Sequence, residues 1–441
     1  MEKIRVSAGE TVPQMFQSRV QISKNQVALR YKKLGIWHDV TWEQYGEMVR
    51  AVCLGLVALG LKPGECVSII GENCPEWVYT DLGTMHAGGT TVGVYATNSW
   101  EQCQYVVDHS ESRFYFVENE EQLDKALRFR DKVPRLEKII VWDIKGLKRF
   151  QDPMVMSFEE FLSLGREKAR QGADEFAKRW TQMQPHDLAR LIYTSGTTGP
   201  PKGAMLTHAN ITWMAQAMQE GNPVEATDEF LSFLPLCHIF EQLFTIFMNI
   251  KYGAIVNFIE STDTVTDNMR EVSPTVAYGV PRIWEKYYSG IMIMMSDASW
   301  LKKLVFQSSL KIGKKYANLS TAHQAVPSWL RLAYALAYFA IFRKLHIIAL
   351  CHKHTTHDQP VLRFIINYKY CHIGKPPLPW QENFLQLPCR SQPAWGQTEI
   401  RYPPPSVNII TRGEKLPCFS SPAPDPPLLH FCPGHPVNCL V

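Results

Sequence analysis

Residues Tyr193 to Gly203 read YTSGTTGPPKG and follow directly on the run Ala189-Arg190-Leu191-Ile192. Four hydroxyl side chains (Thr194, Ser195, Thr197, Thr198), three glycines (Gly196, Gly199, Gly203) and one lysine (Lys202) make a loop that can wrap an oxyanion and neutralise it. Polyphosphate is the ligand such a loop suits. A P-loop closes on Gly-Lys-Ser/Thr so that the hydroxyl meets magnesium, whereas Lys202 stands between Pro201 and Gly203. That weakens a generic nucleoside-triphosphatase reading. A Ser/Thr/Gly/Pro surface turn that binds nothing has the same composition, so the context must decide.

Strands alternating with helices surround this loop. Thr41-Trp42-Glu43-Gln44 is a capping-box pattern, and the apolar segment behind it stops at Gly60 and Pro63-Gly64. Val67 to Ile70 predicts a strand, Pro75 opens a helix that ends at Gly88-Gly89, and Thr90 to Tyr95 predicts a second strand. Ser99-Trp100-Glu101-Gln102 caps another helix, after which Arg113 to Val117, a charged helix from Asn119, and Lys138 to Trp142 continue the alternation. This is the pattern of an α/β protein, a parallel sheet with crossover helices.

The chain has 441 residues, 45% hydrophobic and 20% charged, enough for a sizeable core and more than one domain. A net charge of +4 without a basic run argues against nucleic acid as a partner. MEKIRVSAGETVPQMF lacks an apolar core of signal-peptide length, and Cys53, Cys66, Cys74, Cys103 and Cys237 are scattered without a CxxC pair. Both features predict a cytoplasmic protein with reduced thiols.

Three segments in order carry a family resemblance. TSGTTGPPKG resembles the signature loop of the adenylate-forming superfamily, which holds acyl-CoA synthetases, luciferases and peptide-synthetase adenylation domains. LPLCHIFEQ, Leu234 to Gln242, resembles its second segment, in which the histidine closing Leu-Pro-Leu-x-His sits beside the acyl-carboxylate site. GVPRIWEK, Gly279 to Lys286, resembles a segment of the long-chain fatty acyl-CoA synthetase branch. The stretch Val67 to Tyr105 is similar to that branch too, including its bubblegum-type members.

Beyond about residue 346 the composition shifts, with 16 of the 29 prolines and six of the 11 cysteines. Such proline density opposes helices and central strands. Cys351, His352, His354, His357, Cys371 and His372 match no standard zinc spacing. Two islands nonetheless resemble the family: Gly374 to Trp380 its Gly-Ala-Ala-Pro-Leu segment bordering the adenine pocket, and Trp395-Gly396-Gln397-Thr398-Glu399 its aromatic-Gly-x-Thr-Glu motif.

The resemblance implies the large N-terminal domain of the adenylate-forming fold, layered mixed and parallel sheets with crossover helices, with the small C-terminal domain missing. Residues 1–345 would be the domain body, 346–400 a degraded continuation, and 401–441 an unrecognisable, disordered tail. It implies an ATP-dependent long-chain fatty acid–CoA ligase: the acid's carboxylate attacks the α-phosphorus, pyrophosphate leaves, and coenzyme A displaces AMP. Thr194, Ser195, Gly196, Thr197, Thr198 and Gly199 would cradle the β and γ phosphates, with Lys202 as the cation. Thr194 and Glu399 would hold Mg2+, an ion that prefers oxygen ligands. Trp395 would stack on adenine, with Gly396 and Gln397 beside it and Thr398 on the α-phosphate. His238 would serve the acyl carboxylate; the plainer reading is a hydrogen-bonded histidine at a sheet edge.

Phe240, Leu243, Phe244, Ile246 and Phe247 either line an acyl slot or are ordinary core. Leu332 to Phe342, LAYALAYFAIF, is too short for a bilayer core of about 30 Å, so it reads as a buried or amphipathic helix or as an interfacial membrane contact. Without the family's ribose-binding aspartate, hinge and lysine-bearing small domain, low or absent turnover is expected. The alternatives are a non-catalytic remnant that binds ATP or fatty acid, and another adenylate former such as an aryl-CoA ligase or luciferase relative.

Overall fold

Buried runs of β-branched and aromatic residues build the centre of the molecule, because such side chains pack well on a pleated surface covered on both faces. The computed structural model describes residues 9–172, 174–194, 199–221, 223–321, 324–342, 365–367 and 408–410. Its strands are β1 (Val27–Lys33), β2 (Ile36–Thr41), β3 (Cys66–Ile70), β4 (Thr90–Val94), β5 (Phe114–Val117), β6 (Lys138–Val141) and β7 (Val155–Ser157), followed by β8 (Leu188–Thr194) and β9 (Lys202–Thr207). Then come β10 (Glu229–Ser232), β11 (Ile255–Phe258), β12 (Val276–Tyr278), β13 (Ile365–Asn367) and β14 (Asn408–Ile410).

The main sheet has the order β14-β9-β8-β4-β3-β5-β6-β7. Strands β8 through β7 in that order run parallel, and β9 turns back antiparallel to β8. The alternation read from the sequence is borne out. Pro75–His86 is a helix with proline in its first turn, Thr41 and Ser99 each close a capping box, and Asn119 caps Glu120–Leu127. A second sheet, β10-β11-β1-β2, joins the N-terminal hairpin to β11, with Leu29 of β1 opposite Val256. Within residues 401–441, Asn408–Ile410 pair with β9. The remainder of that tail, the Cys351 to His372 set and the island Gly374 to Trp380 lie outside the described residues.

Period-two alternation divides the core between the faces of the main sheet. Val67, Ile69, Phe114 and Phe116 face the larger cluster, which includes Trp42, Trp77 and Phe161; Cys66, Ile70, Tyr115 and Val117 face the smaller one. All five cysteines among the described residues are free, and burial raises their thiol pKa values, that of Cys66 to about 12. None of these helices is long and apolar enough to cross a membrane.

The helices Trp42–Ala58 and Phe158–Gln171 touch backbone to backbone through glycine. A Cβ on Gly165 would lie 1.9 Å from the Ala51 carbonyl oxygen, and one on Gly55 would lie 2.7 Å from the Phe161 ring. Gly165→Ala should therefore force the helices apart and cost about 1–3 kcal/mol or more. A urea midpoint unchanged from wild type would refute this packing.

Candidate functional site

In a doubly wound sheet, loops at the carboxyl ends of parallel strands on either side of the order reversal form a crevice. Here β3 is flanked by β4 on one side and β5 on the other, so the chain after β3, β4 and β8 emerges at one edge. That edge receives Gly71-Glu72-Asn73, Tyr95 and Thr194.

Thr194 ends β8 directly opposite Lys202, the first residue of β9. The two ends of the Gly/Thr loop are thus held roughly 5 Å apart at Cα by antiparallel pairing. Thr194, Gly199 and Lys202 are exposed, and Gly199 has φ +96°, a left-handed conformation that favours glycine. Ser195, Gly196, Thr197 and Thr198 lie outside the described residues, as do Trp395, Gly396, Gln397, Thr398 and Glu399. The hairpin is anchored from the side by the helix Trp100–His109. The Tyr105 hydroxyl donates to the Pro201 carbonyl at 2.9 Å, and His109 Nδ1 lies 2.7 Å from the Tyr193 hydroxyl.

The Leu234 to His238 turn lies against the neighbouring strand. A Cβ on Gly93 of β4 would sit 2.8 Å from the Cys237 Cα, so only glycine lets the turn approach this closely. Tyr95, one residue beyond β4, stands beside the Cys237 thiol. Because β4 also pairs with β8, this packing brings His238 to the edge where Thr194 and Lys202 stand.

His238 is exposed and caps a helical run, Ile239 to Tyr252, whose middle, Leu243–Met248, is a π-turn. The residue is hydrogen-bonded at the sheet edge, as in the plainer reading, and it stands there as a helix cap. Its Nδ1 accepts the Phe240 N–H at 3.1 Å, which leaves the proton of the neutral ring on Nε2. Partial burial lowers its pKa, and the positive end of the helix it caps acts in the same sense. The group therefore offers a neutral Nε2–H donor near pH 7. Leu243, Phe244, Ile246 and Phe247 are buried in the larger cluster, with Phe240 packed on it and the Phe244 ring stacked on Tyr278 at 4.1 Å. For these five, core packing is what the structure bears out.

Four polar residues that sequence reasoning left without a role, Asn73, Arg190, Glu241 and Gln242, hold the turn in place. Asn73 donates to the Leu234 carbonyl at 2.6 Å and to Ser232 Oγ at 2.8 Å, and accepts the Leu236 N–H at 3.1 Å. Arg190, fully buried in β8, donates to both Asp81 carboxylate oxygens at 3.2 and 3.0 Å and to Gln242 Oε1. Gln242 in turn donates to the Leu236 carbonyl at 2.6 Å. Glu241, fully buried, accepts from Ser232 at 2.8 Å, Thr245 at 2.7 Å, Tyr278 at 3.0 Å and the Leu234 N–H at 3.3 Å. Tyr278 immediately precedes Gly279, so Glu241 ties the histidine turn to the GVPRIWEK segment. One sequence signal existed: a charged residue inside an apolar strand, Arg190, demands a buried partner.

Among the described residues no group of three or more His, Cys, Asp or Glu side chains gathers as a metal cluster. Of the two residues expected to hold magnesium, Thr194 offers an exposed hydroxyl, an oxygen donor of the kind magnesium accepts alongside phosphate.

Residues 16–407 match the family described as AMP-binding enzyme. Long-chain-fatty-acid–CoA ligase ACSBG2 of Xenopus laevis is 36% identical over 344 residues, 76% of this chain and 45% of the relative. The ACSBG2 ligase of Mus musculus is 35% identical over 337 residues, 74% of this chain and 50% of the relative. The chain spans about half the length of these curated relatives. Among solved structures, the anthranilate CoA ligase AuaEII in complex with anthranoyl-AMP aligns with a TM-score of 0.53 at 21% identity, covering 63% of this chain and 51% of that one. The long-chain-fatty-acid-CoA ligase FadD1 from Archaeoglobus fulgidus gives 0.51 at 17%, covering 62% and 52%. At these identities the likeness shows the fold, that of adenylate-forming ligases.

Burial raises the Glu241 pKa from 4.5 to about 7, against the four hydrogen bonds that favour its charged form. Between pH 4.5 and about 7 the folded chain keeps a proton that the unfolded chain has lost. Stability from this group therefore falls as pH rises through that window, by something on the order of 3 kcal/mol. His86 and His208, lowered by burial to about 4 and about 3, act in the opposite direction, because the unfolded chain takes up their protons first as pH falls. The clean readout is the difference between wild type and Glu241→Gln. The variant should gain on wild type as pH is raised from 4.5 to 7, and a pH-independent difference in denaturation midpoint would remove the assignment.

Proposed function

The chain belongs to the AMP-binding enzyme family, and on that footing we propose that it activates long-chain fatty acids with ATP and transfers the acyl group to coenzyme A. The observation that carries the reading is spatial: an exposed hydroxyl and cation, Thr194 and Lys202, close a Gly/Thr loop at the same sheet edge that receives the turn ending in His238. The names of the relatives, long-chain-fatty-acid–CoA ligases at 35–36% identity, support the choice of substrate.

In this reading the loop from Thr194 to Gly199 receives the β and γ phosphates through hydroxyls and backbone N–H groups, and Lys202 offsets their charge. Magnesium, when bound, would be held by Thr194 and Glu399 with phosphate oxygens and would neutralise further charge. His238 donates its Nε2–H to the acyl carboxylate or to the oxygen on which charge builds. Trp395 with Gly396, Gln397 and Thr398 frames the adenine and the α-phosphate. Attack of the carboxylate on the α-phosphorus and displacement of AMP by the thiol both place negative charge on oxygen. Positioning and fixed donors are therefore what the protein must supply.

The organisation proposed with this function is a body over residues 1–345, a degraded continuation over 346–400 and an unrecognisable Pro/Cys-rich tail over 401–441, of which Asn408–Ile410 pair with β9. The partners are fatty acid, ATP and coenzyme A, without nucleic acid. A cytoplasmic site of action with a peripheral membrane contact fits a water-insoluble substrate.

The test is ATP–pyrophosphate exchange by the purified protein, which palmitate should stimulate. Binding of a nonhydrolysable ATP analogue without exchange would favour a non-catalytic remnant, and stimulation by aryl acids alone would favour another ligase. Lys202→Ala removes a charged phosphate partner worth about 1.5–3 kcal/mol, a 10- to 100-fold rise in the Kd of the analogue. Unchanged affinity would count against the loop assignment.

A further inference from the structure

The helical hairpin formed by Trp300–Thr321 and Ser328–Ala337 wears an apolar stripe on its outside. On the second helix and the π-turn Tyr338–Phe342 that continues it, Trp329, Leu332, Leu336 and Phe339 follow one another at helical spacing and are 57–66% exposed. The opposite side of that helix is the packed one: Leu330 and Ala337 are buried, and Tyr334 stacks on Tyr316 of the first helix at 4.1 Å. On the first helix Phe306 and Ser309 are buried, and Gly313 lies against the Phe342 ring, where a Cβ would meet it at 2.9 Å. Its outer side shows Trp300 at 75%, Leu301 at 55% and Leu304 at 54% exposure. Lys315 Nζ stands 4.9 Å over the Trp329 ring, so the outer sides of the two helices adjoin.

Charge identifies the occupant. Between residues 298 and 342 there are six basic residues (Lys302, Lys303, Lys311, Lys314, Lys315 and Arg331) and no aspartate or glutamate, in a chain whose net charge is only +4. We infer that this face docks on the anionic headgroup surface of a lipid bilayer, its Trp, Leu and Phe side chains entering the headgroup–acyl boundary while the lysines meet the phosphates. Paired tryptophans beside lysines are suited to that boundary, where one end of the ring is apolar and the other wet. A second copy of the same face would set its lysines against lysines, which opposes self-association. A nucleic acid would satisfy the lysines and leave the leucines in water. Neither helix spans the bilayer, so the contact is peripheral.

The docking face stands on surface chemistry alone; only its use, delivery of a membrane-dissolved acid, rests on the ligase reading. The test therefore measures binding without turnover. The full chain should cosediment with vesicles of 70% phosphatidylcholine and 30% phosphatidylserine, far less with pure phosphatidylcholine, and release as salt is raised from 0.1 to 0.5 M. Lys311→Gln with Lys314→Gln should weaken the partition coefficient roughly tenfold or more. Leu332→Ser with Leu336→Ser should do likewise; circular dichroism melting should stay at the wild-type temperature, since all four side chains point away from the core. No binding to the anionic vesicles, equal binding to neutral ones, or unaltered binding of both variants would overturn the inference. So would a dimer in sedimentation velocity that the leucine variant abolishes. Loss of exchange activity with vesicle binding intact would fault the ligase reading and leave the docking face standing.

Discussion

A buried ion pair anchors the candidate site. Arg190 and Asp81 have side chains that are 1% and 0% exposed, and taking such charges out of water costs several kcal/mol per ion unless geometry returns it. Asp81 accepts from the guanidinium through both carboxylate oxygens, Gln242 takes a further N–H, and the Phe247 ring covers the cation at 4.7 Å. Burial lowers the Arg190 pKa and raises that of Asp81, each against the pull of its partner. The result joins three elements that have no reason of their own to meet: the helix Pro75–His86, strand β8, and the turn that ends at His238. Removing one partner would strand the other charge in the core, so the brace tolerates one arrangement of those elements.

Above this brace the site is layered by wetness. The floor is polar and buried, with Asn73, Glu241 and Gln242 satisfying the backbone of Leu234 and Leu236, while the rim of Thr194, Gly199, Lys202 and His238 is exposed. Such a division suits a site that must hold donors at fixed positions and still admit a large anionic ligand. The close approach at Gly93 and the tether from Tyr105 to Pro201 serve the same end from the sides. The helical run behind His238, with its π-turn at Leu243–Met248, is buried from Glu241 to Tyr252.

The helical hairpin at 300–342 shows the opposite economy. Its inner sides are spent on each other and on Phe342, and its outer sides keep Trp, Leu and Phe in contact with solvent. A membrane surface would cover both the apolar stripe and the unbalanced lysines, whereas a packed core could accept only the first.

Local signals were read well where the physics is local. Capping boxes at Thr41 and Ser99, the proline at the head of Pro75–His86 and the β-branched runs at β3 and β4 specified elements and class, because caps, φ restriction and burial periodicity act within a few residues. The order of TSGTTGPPKG and LPLCH was likewise enough to point to the family and to Thr194, Lys202 and His238. Tertiary structure alone decided what holds them: that Arg190 finds Asp81 across 109 residues, that Asn73 clamps a turn 161 residues away, that His238 caps a helix, and that Phe244 and Phe247 are core. It also turned Leu332 outward and Leu330 inward. Such outcomes depend on which faces meet after the chain has crossed the sheet several times, and a one-dimensional pattern of residue types carries no record of that meeting.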